Sequence, residues 1–136
     1  MTSTRTTFRA LTLSELPDSF AVVQLPADSE IPGWALGSAE FSALVRSAGE
    51  LSIIVPQGQV PGGLKSVRDW ACLRIEGTFE FTETGILASV AAPLAAAGVG
   101  IFAVSTWDTD YLLVRREQLA AAREALETAG HRVNLL

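Results

Sequence analysis

The chain has 136 residues, 49% of them apolar and 18% charged, with a formal net charge of −5. That length holds one ordinary domain or two very small ones sharing a core, and the apolar content excludes a disordered chain. Basic residues never run beyond the pair Arg115-Arg116, and no apolar run approaches the roughly 20 residues that span a bilayer, so neither a nucleic-acid surface nor a membrane span is expected.

Cys72 is the single cysteine and His131 the single histidine, which leaves no disulfide, no CxxC pattern and no pair of imidazoles for a metal; no cofactor is expected. Cys72 sits mid-strand among apolar residues, as a buried structural thiol does. His131 follows a helix end, where an imidazolium suits the dipole; a structural role is expected there. The N-terminus MTSTRTTFR lacks the apolar core of a signal peptide, so a soluble cytoplasmic protein is expected.

Phe8 to Leu13 alternates as a half-buried strand does, and Glu15-Leu16-Pro17-Asp18-Ser19 breaks it. Phe20 to Leu25 reads as a second strand ended by Pro26. Ala27 to Ser38 is a loop in which Trp34 either plugs the end of the core or walls a ligand pocket. Phe41–Arg46 and Leu51–Val55 predict a hairpin around Ser47-Ala48-Gly49-Glu50. A slide of sixty residues lays FSALVRSAGELSIIVP on IFAVSTWDTDYLLVRR, with Glu50 on Asp110, and Ala71–Ile75 on His131–Leu135. The echo implies an internal repeat and two related halves. The first half is degenerate, without a clear amphipathic helix, and the linker-like QGQVPGG at 57–63 lies between the halves. The halves are placed at 1–69 and 70–136, although segment 70–76 can close the first or open the second.

In the second half, Ile86, Leu87, Val90, Leu94 and Ala97 repeat at helical spacing. Thr82 or Thr84 is the expected N-cap and Gly98 the stop; Pro93, which offers no N–H to the carbonyl of Ser89, predicts a kink. Strand 99–105 is apolar on both faces and asks for a partner or an abutting domain. After the acidic turn Trp107-Asp108-Thr109-Asp110 come a strand at 111–114, a helix over Glu117–Ala129 stopped by Gly130, and a strand at 131–135. Both helices are expected on one side of the sheet. Eight strand segments result, two units of four. The order in the second half is βαββαβ, and the fold class is α+β of the ferredoxin-like kind.

Gly85-Ile86-Leu87, Pro93-Leu94-Ala95, Ser105-Thr106 and Thr109-Asp110-Tyr111 together resemble the ACT domain, and within it the subgroup of small tandem-ACT bacterial proteins and CASTOR-type arginine sensors. The resemblance implies two ACT-like halves and a small-molecule ligand lying where two modules meet. It implies one wall of Glu83, Thr84, Gly85 and Ile86 and another of Val104, Ser105 and Thr106; Asp108 and Asp110 match acidic positions of the subgroup motif.

The residues themselves support part of this. Thr82-Glu83-Thr84-Gly85 opens a helix whose first N–H groups favour an anion such as an α-carboxylate, with Gly85 either admitting a ligand to the backbone or serving as a turn residue. Asp108 and Asp110, beside Ser105 and Thr106, suit an ammonium or guanidinium group, or are simply solvated turn acids. No GxSxG, P-loop or GxGxxG is present, and Glu80 and Glu83 have no catalytic partner. The reading is a non-catalytic, amino-acid-binding regulatory sensor, its site completed between modules or in a homodimer, signalling to a separate effector protein. The acids favour arginine or lysine, a tilt that Arg74 or Arg115 near the pocket would reverse. The rival is a protein-protein interaction module with a vestigial pocket; a small enzyme using Glu83 or Asp108 is a third reading.

Overall fold

Thr12–Leu25 forms a single 14-residue strand, β1, where the sequence predicts two. The computed structural model describes residues 9–37 and 39–136; Phe8, which opens the first expected strand, and Ser38 lie outside the described residues. Pro17 does not end the strand because it falls in a shift of register between Glu15 and Ser19, where no ladder N–H is needed of it. Merging these two segments leaves seven strands among the described residues, against eight expected: β1, β2 (Ala43–Arg46), β3 (Leu51–Pro56), β4 (Ser66–Ile75), β5 (Ile101–Ser105), β6 (Asp110–Arg115) and β7 (Arg132–Asn134).

All seven lie in one sheet, ordered β2-β3-β1-β4-β6-β5, with β7 parallel to the first residues of β1. β1 and β4 pair antiparallel from Leu13↔Ile75 to Val23↔Ser66 and so run through both halves. Residues 70–75 of the segment that can close the first half or open the second lie in β4, which pairs with β1 on one side and β6 on the other. The boundary drawn between residues 69 and 70 lies inside β4, at a bulge where Asp69 takes a positive φ of 64°, a conformation aspartate tolerates better than most residues. Gln57 clasps this bulge, accepting from Asp69 N–H at 2.8 Å and donating to its carboxylate at 3.1 Å. Arg68 donates to the carbonyls of Gln57 and Val60, so the linker-like stretch is pinned to the sheet.

Helices α1 (Ile86–Ala96) and α2 (Leu119–Thr128) cover one face of the second half, as expected. Val90 and Leu94 of α1 meet Ala122 and Leu126 of α2 over Leu73, Ile75, Leu112 and Val114. Ala97 is exposed, so the buried stripe of α1 ends at Leu94. Neither threonine caps α1: its N-cap is Gly85, with no side-chain cap bond. Pro93 leaves α1 continuous to Ala96, and the Ser89 carbonyl it deprives of a partner lies 2.9 Å from Nε2 of His131.

At the other end of α1, Gly98 N–H donates to Ala95 C=O and Val99 N–H to Leu94 C=O, the pairing of a Schellman stop. Gly98 has φ +75°, and a Cβ there would meet nothing within 4 Å. Gly98→Ala therefore carries only the conformational cost of a left-handed residue, about 1 kcal/mol, and is expected to lower the melting temperature by a few degrees in a calorimetric scan.

The first half, without an α-helix among its described residues, buries Ala21, Val23, Leu51, Ile53 and Val55 under a short 3-10 turn at Gly33–Leu36. Trp34 packs on that cluster, which makes it a plug. The opposite face of the sheet curls on itself. Phe41, two residues before β2, stacks on Tyr111 of β6 with ring centroids 4.2 Å apart, although three strands separate β2 from β6 in the sheet order. Phe102 and Val104 of β5 join this cluster, so the abutting first half supplies cover for the second apolar row of that strand.

The internal echo is present but one residue shorter than the sequence slide. Ser47 N–H to Glu50 C=O closes the first hairpin and Thr106 N–H to Thr109 C=O the second, which sets equivalent positions 59 apart. Glu50 thus corresponds to Thr109 rather than to Asp110.

Candidate functional site

The chain leaving β4 and the turn between β5 and β6 are tied together by hydrogen bonds. Phe79 N–H donates to the carbonyl of Asp108 at 2.9 Å, and the buried Thr109 donates its hydroxyl to the carbonyl of Ile75 at 2.7 Å. Thr106 N–H reaches Thr109 C=O at 2.8 Å, closing the acidic turn. Backbone and threonine hydroxyls thus hold the turn, and the Asp108 carboxylate is not needed to close it.

Between these segments lies a cleft of about 230 Å³. Of the residues expected at a site, Glu83, Ile86, Ser105, Thr106, Asp108 and Asp110 line it. Thr84, Gly85 and Val104 do not. Gly85 serves the turn at the helix start, with φ +82° and open space where a Cβ would be. Val104 lies on the far face of β5, packed against the aromatic cluster of the curled side.

The structure adds Phe79, Glu80, Phe81, Trp107 and Thr109 to the lining. Phe81 and Trp107 meet edge to face at 4.6 Å and stay 69% and 78% exposed. A tryptophan inside a polar, acidic turn was the sequence signal for this pair, since a solvated turn has no use for an indole.

Four carboxylates, those of Glu80, Glu83, Asp108 and Asp110, border the cleft beside the uncapped start of α1. Among the described residues only Glu83 of these has an ion-pair partner, Arg9 Nη1 at 2.5 Å. The Arg9 guanidinium also lies 4.7 Å from the centre of the Phe79 ring. Asp110 accepts the hydroxyl of Ser105. Arg74 does not line this cleft; it is held by Glu76 through Nε at 3.1 Å and Nη2 at 2.8 Å, beside an adjoining cleft of about 300 Å³ that shares Asp108. Arg115 lies over Trp70, 5.3 Å from its ring centre. Among the described residues no three His, Cys, Asp or Glu side chains are grouped to hold a metal ion.

The corresponding turn of the first half offers less. Its one acid, Glu50, accepts from Ser52 at 2.7 Å and Gln24 at 3.2 Å, and these bonds hold its carboxyl below its ordinary pKa. Cys72 is fully buried, which pushes its thiol up to about 12 and leaves it inert. His131 is buried too, bonded to the Leu11 N–H through Nδ1 at 3.1 Å, a structural placement.

The ACT-domain family model matches residues 65–128, from the start of β4 through α2, and a second model, described as an N-terminal domain, matches residues 18–63. Protein Atu0741 from Agobacterium tumefaciens, known from a crystal structure, is 37% identical, with a TM-score of 0.89 over 95% of this chain and 96% of that one. The chain belongs to the ACT-domain family. This ACT protein is also 31% identical over 110 residues to the cytosolic arginine sensor for mTORC1 subunit 1 of Bos taurus, covering 75% of this chain and 33% of that protein. The chain thus spans about a third of the length of the curated relatives it matches. The regulatory subunit of aspartate kinase from Thermus flavus shares the fold, at 16% identity and a TM-score of 0.61 over 89% of this chain and 99% of that one. No helix among the described residues is long and apolar enough to cross a membrane.

Proposed function

We propose that this ACT protein is a non-catalytic regulatory module that binds a free amino acid with a cationic side chain in the cleft between residues 79–86 and 105–110. One observation carries the reading: an uncapped helix start and four carboxylates border the same small cleft. The helix start suits an α-carboxylate, the acids an ammonium or guanidinium group. The name of its curated relatives, arginine sensors, supports arginine in particular. Asp110 accepts the Ser105 hydroxyl, but among the described residues no histidine, cysteine or lysine lines the cleft beside that pair, which supports binding over chemistry.

The cleft is open, and a charge pair about 4 Å apart is worth about 1 kcal/mol in water but about 4 near a shielded surface. A second copy covering the exposed Phe81–Trp107 pair would supply that shielding, and a separate effector protein would read the liganded state. Binding signals only through a difference in affinity between two packings of the modules.

Calorimetric titration of the dialysed full chain with arginine, lysine, citrulline and glutamate tests this. Arginine or lysine is expected to bind; neutral citrulline, close to arginine in shape, and anionic glutamate are not. Asp108→Asn, which removes one charge-assisted bond, is expected to weaken binding about tenfold. Heat with none of the four at millimolar concentration overturns the reading. The same exposed aromatic pair also favours a second reading, a docking module for another protein. Light scattering after size exclusion separates the two: arginine-dependent dimerisation supports the shared site, while a monomer at every concentration, with or without arginine, counts against it.

A further inference from the structure

Arg9 stands 74 residues from Glu83 in sequence, yet its guanidinium meets that carboxylate at 2.5 Å and lies over Phe79 at 4.7 Å. Glu83 and Phe79 both line the cleft. Its side chain thereby makes the two contacts that a bound guanidinium ligand would make there, a carboxylate pair and an aromatic face. We propose that Arg9 is a built-in competitor: the chain's own guanidinium occupies the cation-binding corner of the cleft, and a free cationic amino acid must displace it to bind. This rests on the cationic-ligand reading above and adds the regulation of that same site.

Three observations make the exchange feasible. The Arg9 side chain is 53% exposed and that of Glu83 32%, so the pair is shallow and can open without unfolding anything around it. Arg9 precedes β1, which begins at Thr12, so its displacement breaks no pairing in the sheet. Glu80, Asp108 and Asp110 have no ion-pair partner among the described residues, so a ligand gains attraction that Arg9, tethered at one corner, does not use. Competition of this kind sets a threshold: the ligand's apparent affinity falls by the fraction of molecules whose corner is already filled.

The test compares the full chain with its Arg9→Ala and Arg9→Lys variants, each titrated calorimetrically with arginine. Loss of an exposed ion pair and a cation–π contact from the competitor predicts that Arg9→Ala binds arginine about five- to tenfold more tightly, with Arg9→Lys in between. Equal or weaker binding by Arg9→Ala, with wild-type binding intact, overturns the competitor alone. Absence of binding by all three proteins overturns the cationic-ligand reading and the competitor with it. A second readout is independent of affinity. The Arg9 Nε–H resonance of the wild-type chain is expected to move towards its position in Glu83→Gln as arginine is added; an unmoved resonance at saturation would show ligand and Arg9 bound together and end the proposal.

Discussion

Replacing His131 by leucine is expected to lower the folding free energy by about 2–4 kcal/mol, read as a lower urea midpoint at unchanged slope. The ring is 4% exposed. Its Nδ1 accepts the Leu11 N–H at 3.1 Å, so the ring proton sits on Nε2, which donates to the Ser89 carbonyl at 2.9 Å. One neutral imidazole thus joins the start of the first long strand to the middle of α1. Leucine is close in volume, so little packing is lost. It offers neither donor nor acceptor, however, and strands two backbone groups at about 1–3 kcal/mol each.

Pro93 makes this bond necessary. A residue with an N–H at 93 would satisfy the Ser89 carbonyl from within the helix; proline cannot. Pro93→Ala should therefore stabilise the His131→Leu chain more than it stabilises the wild type, with a coupling of about 1 kcal/mol in a double-mutant cycle. Strict additivity would show that the histidine does not serve that carbonyl.

The same pair shows what was legible in the sequence. Pro93 identifies an orphan carbonyl by spacing alone, and His131 after Gly130 reads as structural, but nothing local says that the two meet across 42 positions. Local chemistry was readable at the helix stops but not at the start of α1, where neither expected threonine caps. Gly98 and Gly130 end their helices by the same pairing, Val99 to Leu94 and His131 to Leu126, and both stops follow from glycine at the right place. The acidic turn and the helix start were readable as polar segments, and they do converge on one cleft. Pro17 misled because a proline break and a proline bulge look alike until the partner strand is known, and the partner here is β4, some sixty residues away. Arg9 was invisible for the same reason: an exposed arginine before a strand has no signature until Glu83 is brought to it. The spare face of strand 99–105 was correctly read as needing cover, yet the cover came from the curl of the sheet, a property of strand order.

That curl underlies the other large effect: Phe41→Ala is expected to cost about 3–5 kcal/mol and to make Cys72 reactive. Phe41 is 6% exposed, stacked on Tyr111 at 4.2 Å and edge-on to Phe20 at 6.0 Å. It belongs to the cluster that seals Cys72 and Leu113, and it reaches from the first half onto β6 of the second hairpin. Only thiolate attacks a disulfide reagent, and burial pushes the Cys72 thiol up to about 12, so the native chain labels only by opening. Global destabilisation alone would raise the labelling rate in proportion to the unfolding constant, about 200- to 5,000-fold for this loss. Leu126→Ala, on the helix face of the sheet and in a different cluster, is the control, with its rate scaled to its own measured stability loss. If Phe41→Ala labels faster than that scaling allows, the two halves separate locally when their aromatic clasp is removed. Modules able to part in this way would have a second packing for a ligand to select. If the two variants fall on one line, the sheet opens only as a whole, and any ligand signal must arise without a parting of the halves.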